Sequence, residues 1–333
     1  MACGTWYLNA FKPPTRNGIG PSCVGLPAGS WPTLLDFLGE RFPNVTPQTW
    51  LARMARGDVI DELGQPVLPE HASHRPYAAH RRLYYYREVP DEPSIPFEEV
   101  VLYQDDHLLV VDKPHFLPVV PSGGYLTETV LVRLKNKLGL IDLVPIHRID
   151  RDTAGLVLFA KQRASRAAYC ALFSQHAVRK TYEAIAPWRA DLSWPITRSS
   201  RIQEAGHFML QHEVPGTPNA ITHMDVLEVH GALARYQLKP VTGQRHQLRV
   251  HMLGLGLPIL NDGLYPTLTP EGQLDHAHPL QLLAKRLEFT DPVSGEPRRF
   301  ESARVLNLPK CNRGEGAAPT GIDAVATAGS CLL

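Results

Sequence analysis

A chain of 333 residues with 44% hydrophobic and 20% charged side chains can bury a sizeable core in more than one domain. Its longest apolar runs, such as Gly155–Ala160, are far short of the roughly 20 residues that cross a bilayer, and MACGTW opens the chain without the charged-then-apolar pattern of a secretory leader. The net charge of +1 argues against a partner held by overall charge, yet phosphate binding is a local property, so the distribution matters more than the total.

Residues 1–30, rich in Gly, Pro and Ser, read as an irregular extension. Thr33–Arg41 has the apolar stripe of a short helix in Leu34, Leu35, Phe37 and Leu38. A second helix follows, with Thr46 as N-cap, Pro47 at the first helical position and Gly57 as the stop. Its Trp50, Leu51 and Met54 should face a core, leaving Arg53 and Arg56 in water. Asp58–Ile60 and Pro66–Leu68 flank the turn Glu62-Leu63-Gly64-Gln65 as a small hairpin, and RLYYYRE (Arg82–Glu88) is strand-like. PDEPSIP (Pro90–Pro96) is a linker by composition.

Beyond it, strands are expected at Glu99–Tyr103, His107–Asp112, Leu156–Ala160, Thr181–Ala186, Ala220–Val229, Ala232–Lys239 and Leu282–Phe289. Helices are expected near Glu128–Leu138, Arg163–Gln175 and Gln244–Leu253. Strands mixed irregularly with helices point to an α+β fold. The segment after Pro309, rich in Gly, Ala and Thr, reads as a disordered tail. These boundaries divide the chain into an extension (1–30), a small α+β domain (31–89), a linker (90–97), a larger domain (98–309) and a tail (310–333).

Five scattered cysteines without a CxxC pair argue against a zinc ribbon or disulfide framework and fit a reducing cytoplasm. Fifteen histidines include no HExxH, and His246 and His251 are five apart, which misses one helix face, so no metal is expected.

Two segments concentrate charge. HRIDRD (His147–Asp152) packs five ionisable residues directly before a strand, and the span from Arg133 to Lys180 holds ten Lys and Arg against three Asp. In TGQRHQLRVHM (Thr242–Met252) a helix would set Arg245 and Arg249 one turn apart, with His246 on the same side and Leu248, Met252 and Leu255 opposite. That predicts a cationic ridge, either suited to an anionic ligand or a carboxylate or simply a solvated basic face. Burial raises an aspartate pKa above about 3.9 and a guanidinium lowers it again; Asp150 beside Arg249 would meet that need, but charge pattern alone favours a purely structural ion pair.

His147–Leu156 resembles the HR(L/I)D-x-x-T-(S/A)-G-L signature of the RluA-type RNA pseudouridine synthases. So do Gln104–Gly123 (QDDHLLVVDKPHFLPVVPSG), Arg179–Ala186 (RKTYEAIA) and Leu238–Tyr265 (LKPVTGQRHQLRVHMLGLGLPILNDGLY). Four ordered segments are a far more specific signal than one short motif. The resemblance implies a catalytic domain with a mixed, largely antiparallel sheet, and an isomerase that detaches a uridine base in RNA, turns it and rejoins it to ribose through carbon. It implies Asp150 as the catalytic aspartate, attacking the ring or the sugar, Tyr182 against the target base and Arg249 holding the aspartate. Arg148 resembles the side chain that fills the place of a flipped nucleotide. Arg151, Lys180, Arg245 and His246 are expected on the RNA, and no cofactor is needed.

The chain departs from the family pattern at Gln244-Arg245, at Asn261 where Gly is usual, and at Ala154 where Ser is common. Trp31–Glu88 resembles an S4 RNA-binding domain more weakly, and its charge is not strongly basic. The expected partner is therefore ribosomal or transfer RNA, with no membrane and no obligate protein partner evident. The alternative is a non-catalytic RNA-binding or assembly factor of the same fold. A glycosidic hydrolase would need a second acid, for which Asp152 is the local choice.

Overall fold

The computed structural model describes residues 11, 13–207, 209–269 and 275–308. The chain order is β1 (Ser22–Gly25), α1 (Leu34–Arg41), α2 (Pro47–Ala55), β2 (Val59–Asp61), α3 (Pro69–His74), β3 (Arg82–Tyr85), β4 (Val100–Gln104), β5 (Leu108–Lys113), α4 (Val130–Leu138), β6 (Val144–Pro145) and β7 (Ala154–Ala160). There follow α5 (Arg163–Ser174), β8 (Arg179–Pro187), β9 (Ile196–Glu204), β10 (Gln211–Val214), β11 (Ala220–His230), β12 (Leu233–Pro240), α6 (Gln247–Gly254), β13 (Leu282–Thr290) and β14 (Pro297–Glu301).

The N-terminal unit folds as its local signals direct. Thr33 and Asp36 form a reciprocal capping box on α1, Thr46 caps α2 ahead of Pro47, and Gly57 turns the chain at φ +73°. Trp50, Met54, Phe37 and Leu38 close the core against a three-stranded antiparallel sheet in the order β1-β3-β2. Three readings need correction. Ser22–Gly25 is a strand, paired residue by residue with β3, because its edge is completed by the RLYY backbone. Arg53 is only 8% exposed, its guanidinium carbon lying over the Trp50 ring rather than in water. The second arm of the 58–68 hairpin is no strand; it is reduced to the bridge between Ile60 and Pro66, which lacks the N–H a ladder needs.

The composition-based linker is pinned. The Glu92 carboxylate accepts the backbone N–H groups of Leu126, Thr127 and Glu128 at 2.6–3.0 Å, and Arg133 donates to the carbonyls of Ile95 and Phe97 at 2.7 Å.

The remainder is built on one large sheet in the order β10-β9-β11-β12-β8-β13-β7-β5-β4, with β14 beside β13 and β6 beside β7. All pairings are antiparallel except β13 with β7, so the expected mixed, largely antiparallel α+β sheet is what forms. Strands β5 and β7 are buried along their whole length, which explains their unbroken apolar runs. Alternate side chains serve opposite faces: Leu109, Val111, Val157 and Phe159 pack on α4, while Leu108, Val110, Leu156 and Leu158 join Tyr169 of α5. At the parallel junction Gly155 (φ +110°) lies so close to Ala284 that any Cβ would meet the backbone, and only glycine fits.

Strands β9, β10 and β14 were not read from the sequence, because segments such as ITRSSRIQE are polar and half-exposed. Asp112, expected as a strand-end residue, is 2% exposed and accepts from Ser302 Oγ and the Ala303 N–H, tying the chain's last described stretch to β5. The expected tail after Pro309 lies outside the described residues.

Candidate active site

The HRIDRD turn is held from beneath by groups that have no freedom left. Lys113, fully buried, donates to the carbonyls of Pro114 and Arg151, each at 2.8 Å. Burial pushes its pKa down to about 7, against the pull of Asp152 and Asp150. His115 Nδ1 reaches the Asp152 carbonyl at 2.7 Å, and burial lowers this imidazole to about 4. His147 accepts the Leu158 N–H at 3.1 Å and stacks on Phe173 at 4.4 Å between ring centroids. Desolvation, with Lys180 nearby, lowers its pKa to about 3, so His147 is a neutral peg rather than a proton carrier. The Thr153 N–H closes the turn on the Asp150 carbonyl at 3.2 Å.

This scaffold leaves the Asp150 side chain 29% exposed, in a cleft of about 1080 Å³. Residues from every one of the four motif segments line it, including Val119, Arg148, Lys180, Tyr182 and Arg245. The fold thus brings Asp150 and Arg249 together across 99 residues: Arg249 Nη1 donates to Asp150 Oδ2 at 3.4 Å.

Arg249 does not stand on a surface ridge. Helix α6 begins only at Gln247, and its residues 247–252 are all buried, so the expected amphipathic face is absent. The reason is that α6 packs against the sheet near β10 and β11 while the cleft residues cover its other side. Arg249 is 2% exposed, and its guanidinium grips the Asp262 carboxylate through Nε, at 2.8 Å, and Nη2. Asp262 also accepts the N–H groups of Leu264 and Tyr265, and the Tyr265 ring lies 5.3 Å from the guanidinium carbon. Despite desolvation, Asp262 and then Asp150 raise the Arg249 pKa beyond its already high value. A permanent cation is therefore locked in place with one nitrogen left for Asp150.

The other expected site residues divide. Tyr182 on β8 lines the cleft with its ring against the sheet core; burial and the charge of Asp150 raise its phenol pKa, so it stays protonated. Lys180 donates to the Thr242 carbonyl at 2.9 Å, and burial lowers it to about 8. Arg148 and Arg245 are exposed cleft residues. Arg151 is 40% exposed and bonds Asp152 at 2.8 Å. That contact, against the desolvation of the site, holds the Asp152 carboxyl below its usual range; a carboxylate so engaged is a poor second acid for hydrolysis.

His246 requires correction. Its side chain is 7% exposed, turned inward with Nε2 at 3.9 Å from Asp150 Oδ1, because the backbone adopts the left-handed region there (φ 54°). Arg245 precedes the helix and so does not share a face with Arg249.

Asp262, Tyr265 and Lys113 were not singled out from the sequence as site residues. The signal was present in D-x-x-Y and in DKP, but a carboxylate that grips an arginine rather than substrate has no distinguishing spacing. The Asn261 departure is accommodated: it sits at φ 61°, a conformation that asparagine tolerates better than other non-glycine residues.

Residues 107–253 match the profile of a family described as RNA pseudouridylate synthase. An uncharacterised RNA pseudouridine synthase of Synechocystis is 32% identical over 240 residues, covering 70% of this chain and 79% of that protein. The dual-specificity RNA pseudouridine synthase RluA of Haemophilus influenzae is 32% identical over 63% of this chain and 94% of its own length. The ribosomal large subunit pseudouridine synthase C of Escherichia coli is 31% identical over 64% and 69%. Among solved structures, human RNA pseudouridylate synthase domain containing 1 shares the fold, with a TM-score of 0.53 at 22% identity over 64% of this chain and 86% of that one. With the motif segments converging on one cleft, the chain belongs to the RluA-type family of RNA pseudouridine synthases, isomerases that act on RNA.

Proposed function

We propose that the chain converts uridines of ribosomal or transfer RNA to pseudouridine in the cytoplasm, with Asp150 as the reacting carboxylate. The observation that carries this reading is Asp150 itself: a half-exposed aspartate at the cleft wall, its Oδ2 on a buried arginine that is anchored elsewhere. In the reaction the N1–C1′ bond breaks, a C5–C1′ bond forms, a proton leaves C5 and one is taken up at N1, so no electrons are exchanged with an outside carrier. Arg249 positions Asp150. Tyr182, protonated and flat against the sheet, supports the turned base. Arg148 stacks in the place the extruded nucleotide leaves, offsetting part of a cost of a few kcal/mol. Lys180, Arg151 and Arg245 contact phosphates.

The N-terminal unit, with helices α1 to α3 and the GDVIDELGQPV turn, fits an S4-like module that adds to the RNA footprint. The ribosomal and dual-specificity names of the relatives favour structured RNA as substrate.

The test is release of tritium from the uracil C5 of labelled RNA, which binding alone cannot cause. Asp150→Asn should lose at least about 10³-fold in rate, the scale seen when a reacting group is removed, with RNA affinity little changed. Wild-type tritium release by that variant ends the assignment.

A further inference from the structure

We propose that His246 is a positioning residue for Asp150: a neutral imidazole whose Nε2–H is turned on carboxylate oxygen Oδ1 because the Tyr265 hydroxyl occupies Nδ1. The inference rests on the reading of Asp150 as the reacting group and goes beyond the Arg249 contact.

Four observations converge. His246 stands at the N-cap of α6 but makes no side-chain cap bond, so its ring is not there to satisfy the helix. Its left-handed backbone costs on the order of 1–2 kcal/mol for a residue with a Cβ, and non-glycine residues held this way gather at functional sites. The Tyr265 hydroxyl accepts the Gln211 N–H at 2.7 Å and lies 2.9 Å from His246 Nδ1. Tyr265 is only 6% exposed, so its own proton needs an acceptor, and Nδ1 is the one within reach among the described residues. The charged groups facing the ring are Asp150 and Asp262, which favour protonation, and Arg249 and Arg245, which oppose it; burial is larger than any of them and keeps the imidazole below its ordinary pKa.

A neutral imidazole has one N–H. With Nδ1 taken as an acceptor, that hydrogen sits on Nε2, 3.9 Å from Oδ1, while Arg249 holds Oδ2 at 3.4 Å. Each carboxylate oxygen then faces its own nitrogen, so that tightening of the two contacts would fix the orientation of the carboxylate. Both contacts are longer than a good hydrogen bond, and contacts of this kind commonly tighten in the complex with substrate. The chain of contacts begins at the amide of Gln211, in the hairpin β9–β10 whose loop residue Met209 borders the cleft. The hairpin is thereby wired to the reacting oxygen.

The experiment has two arms. In the first, nitrogen-15 NMR of the full chain should show His246 as the Nε2–H tautomer near neutral pH, and Tyr265→Phe should turn it into a mixture. A wild-type signal with the proton on Nδ1 overturns the proposal, and this arm needs no turnover. In the second, single-turnover tritium release is followed with ribosomal RNA transcribed in vitro at saturating concentration. His246→Leu should slow the step about tenfold, the worth of one weak charge-assisted hydrogen bond, with unchanged RNA affinity, and His246→Gln, which retains an N–H, should recover most of the rate. Equal slowing by both variants overturns it. Failure of the Asp150 reading is distinguishable, since it appears as tritium release by Asp150→Asn whatever the His246 variants do.

Discussion

Two buried arginines, one in each unit of the chain, show how differently a fold can use the same side chain. Arg249 is locked by Asp262, covered by Tyr265 and aimed at Asp150. Arg53 lies over the Trp50 ring at 5.2 Å with no carboxylate in hydrogen-bond contact among the described residues, and burial lowers its pKa. The first is a fixed charge, expensive to disturb because each partner would be stranded. The second is an amphipathic side chain whose stem covers apolar surface. Burial alone therefore does not mark function; a buried cation with one donor left over for a half-exposed acid does.

The largest effect is expected from Arg249→Met. Tritium release should fall by at least about 10²-fold, and stability by about 3–5 kcal/mol, because Asp262, 1% exposed, is left as an uncompensated buried charge. Urea unfolding separates the two effects: replacing Asp262 by Leu in the same chain should restore much of the stability and none of the activity. Recovery of both together would mean that Arg249 serves packing alone.

A smaller effect concerns acid. His147, His115 and His251 have folded pKa values of about 3, 4 and 4, depressed by burial from the ordinary 6.5. Between those values and 6.5 the unfolded chain binds more protons than the folded one, so stability rises with pH there. It should be complete above about pH 6.5 and fall toward pH 4, by up to about 1.4 kcal/mol per pH unit for each group. Chemical denaturation across that window measures the slope, and His147→Phe, which keeps the stack on Phe173, should flatten it. An unchanged slope would place the titration elsewhere.

The smallest effect is expected at the other arginine. Arg53→Met should change stability by less than about 1 kcal/mol, since a hydrophobic stem of similar length keeps the contact with Trp50. A loss comparable to that of Arg249→Met would reveal an ionic role for Arg53.

Much of the local structure was legible in advance. The Thr46 cap was read directly, and the Thr33 cap, found only in the structure, works likewise through atoms within three residues. The apolar runs of β5 and β7 announce strands covered on both faces. The polar strands β9 and β14 escaped, because pairing with a neighbouring strand supplies what their own side chains do not. Helix α6 was misjudged for a related reason: amphipathic spacing assumes one wet face, and here the sheet covers one side while the cleft residues cover the other.

Local sequence supplies the chemical groups and their frames: an acid in a turn, an arginine in a helix, a glycine where the strands crowd, and four segments that match one family. Their pairing arises only in the assembled fold. Asp150, Tyr182, His246, Arg249, Asp262 and Tyr265 come from four separate stretches of the chain and meet because β8, β13 and β7 are neighbours in the sheet and the apolar side chains of α6 join the core of that sheet. Contact distance and burial, which set charge and orientation, belong to that assembly and to no local stretch of residues.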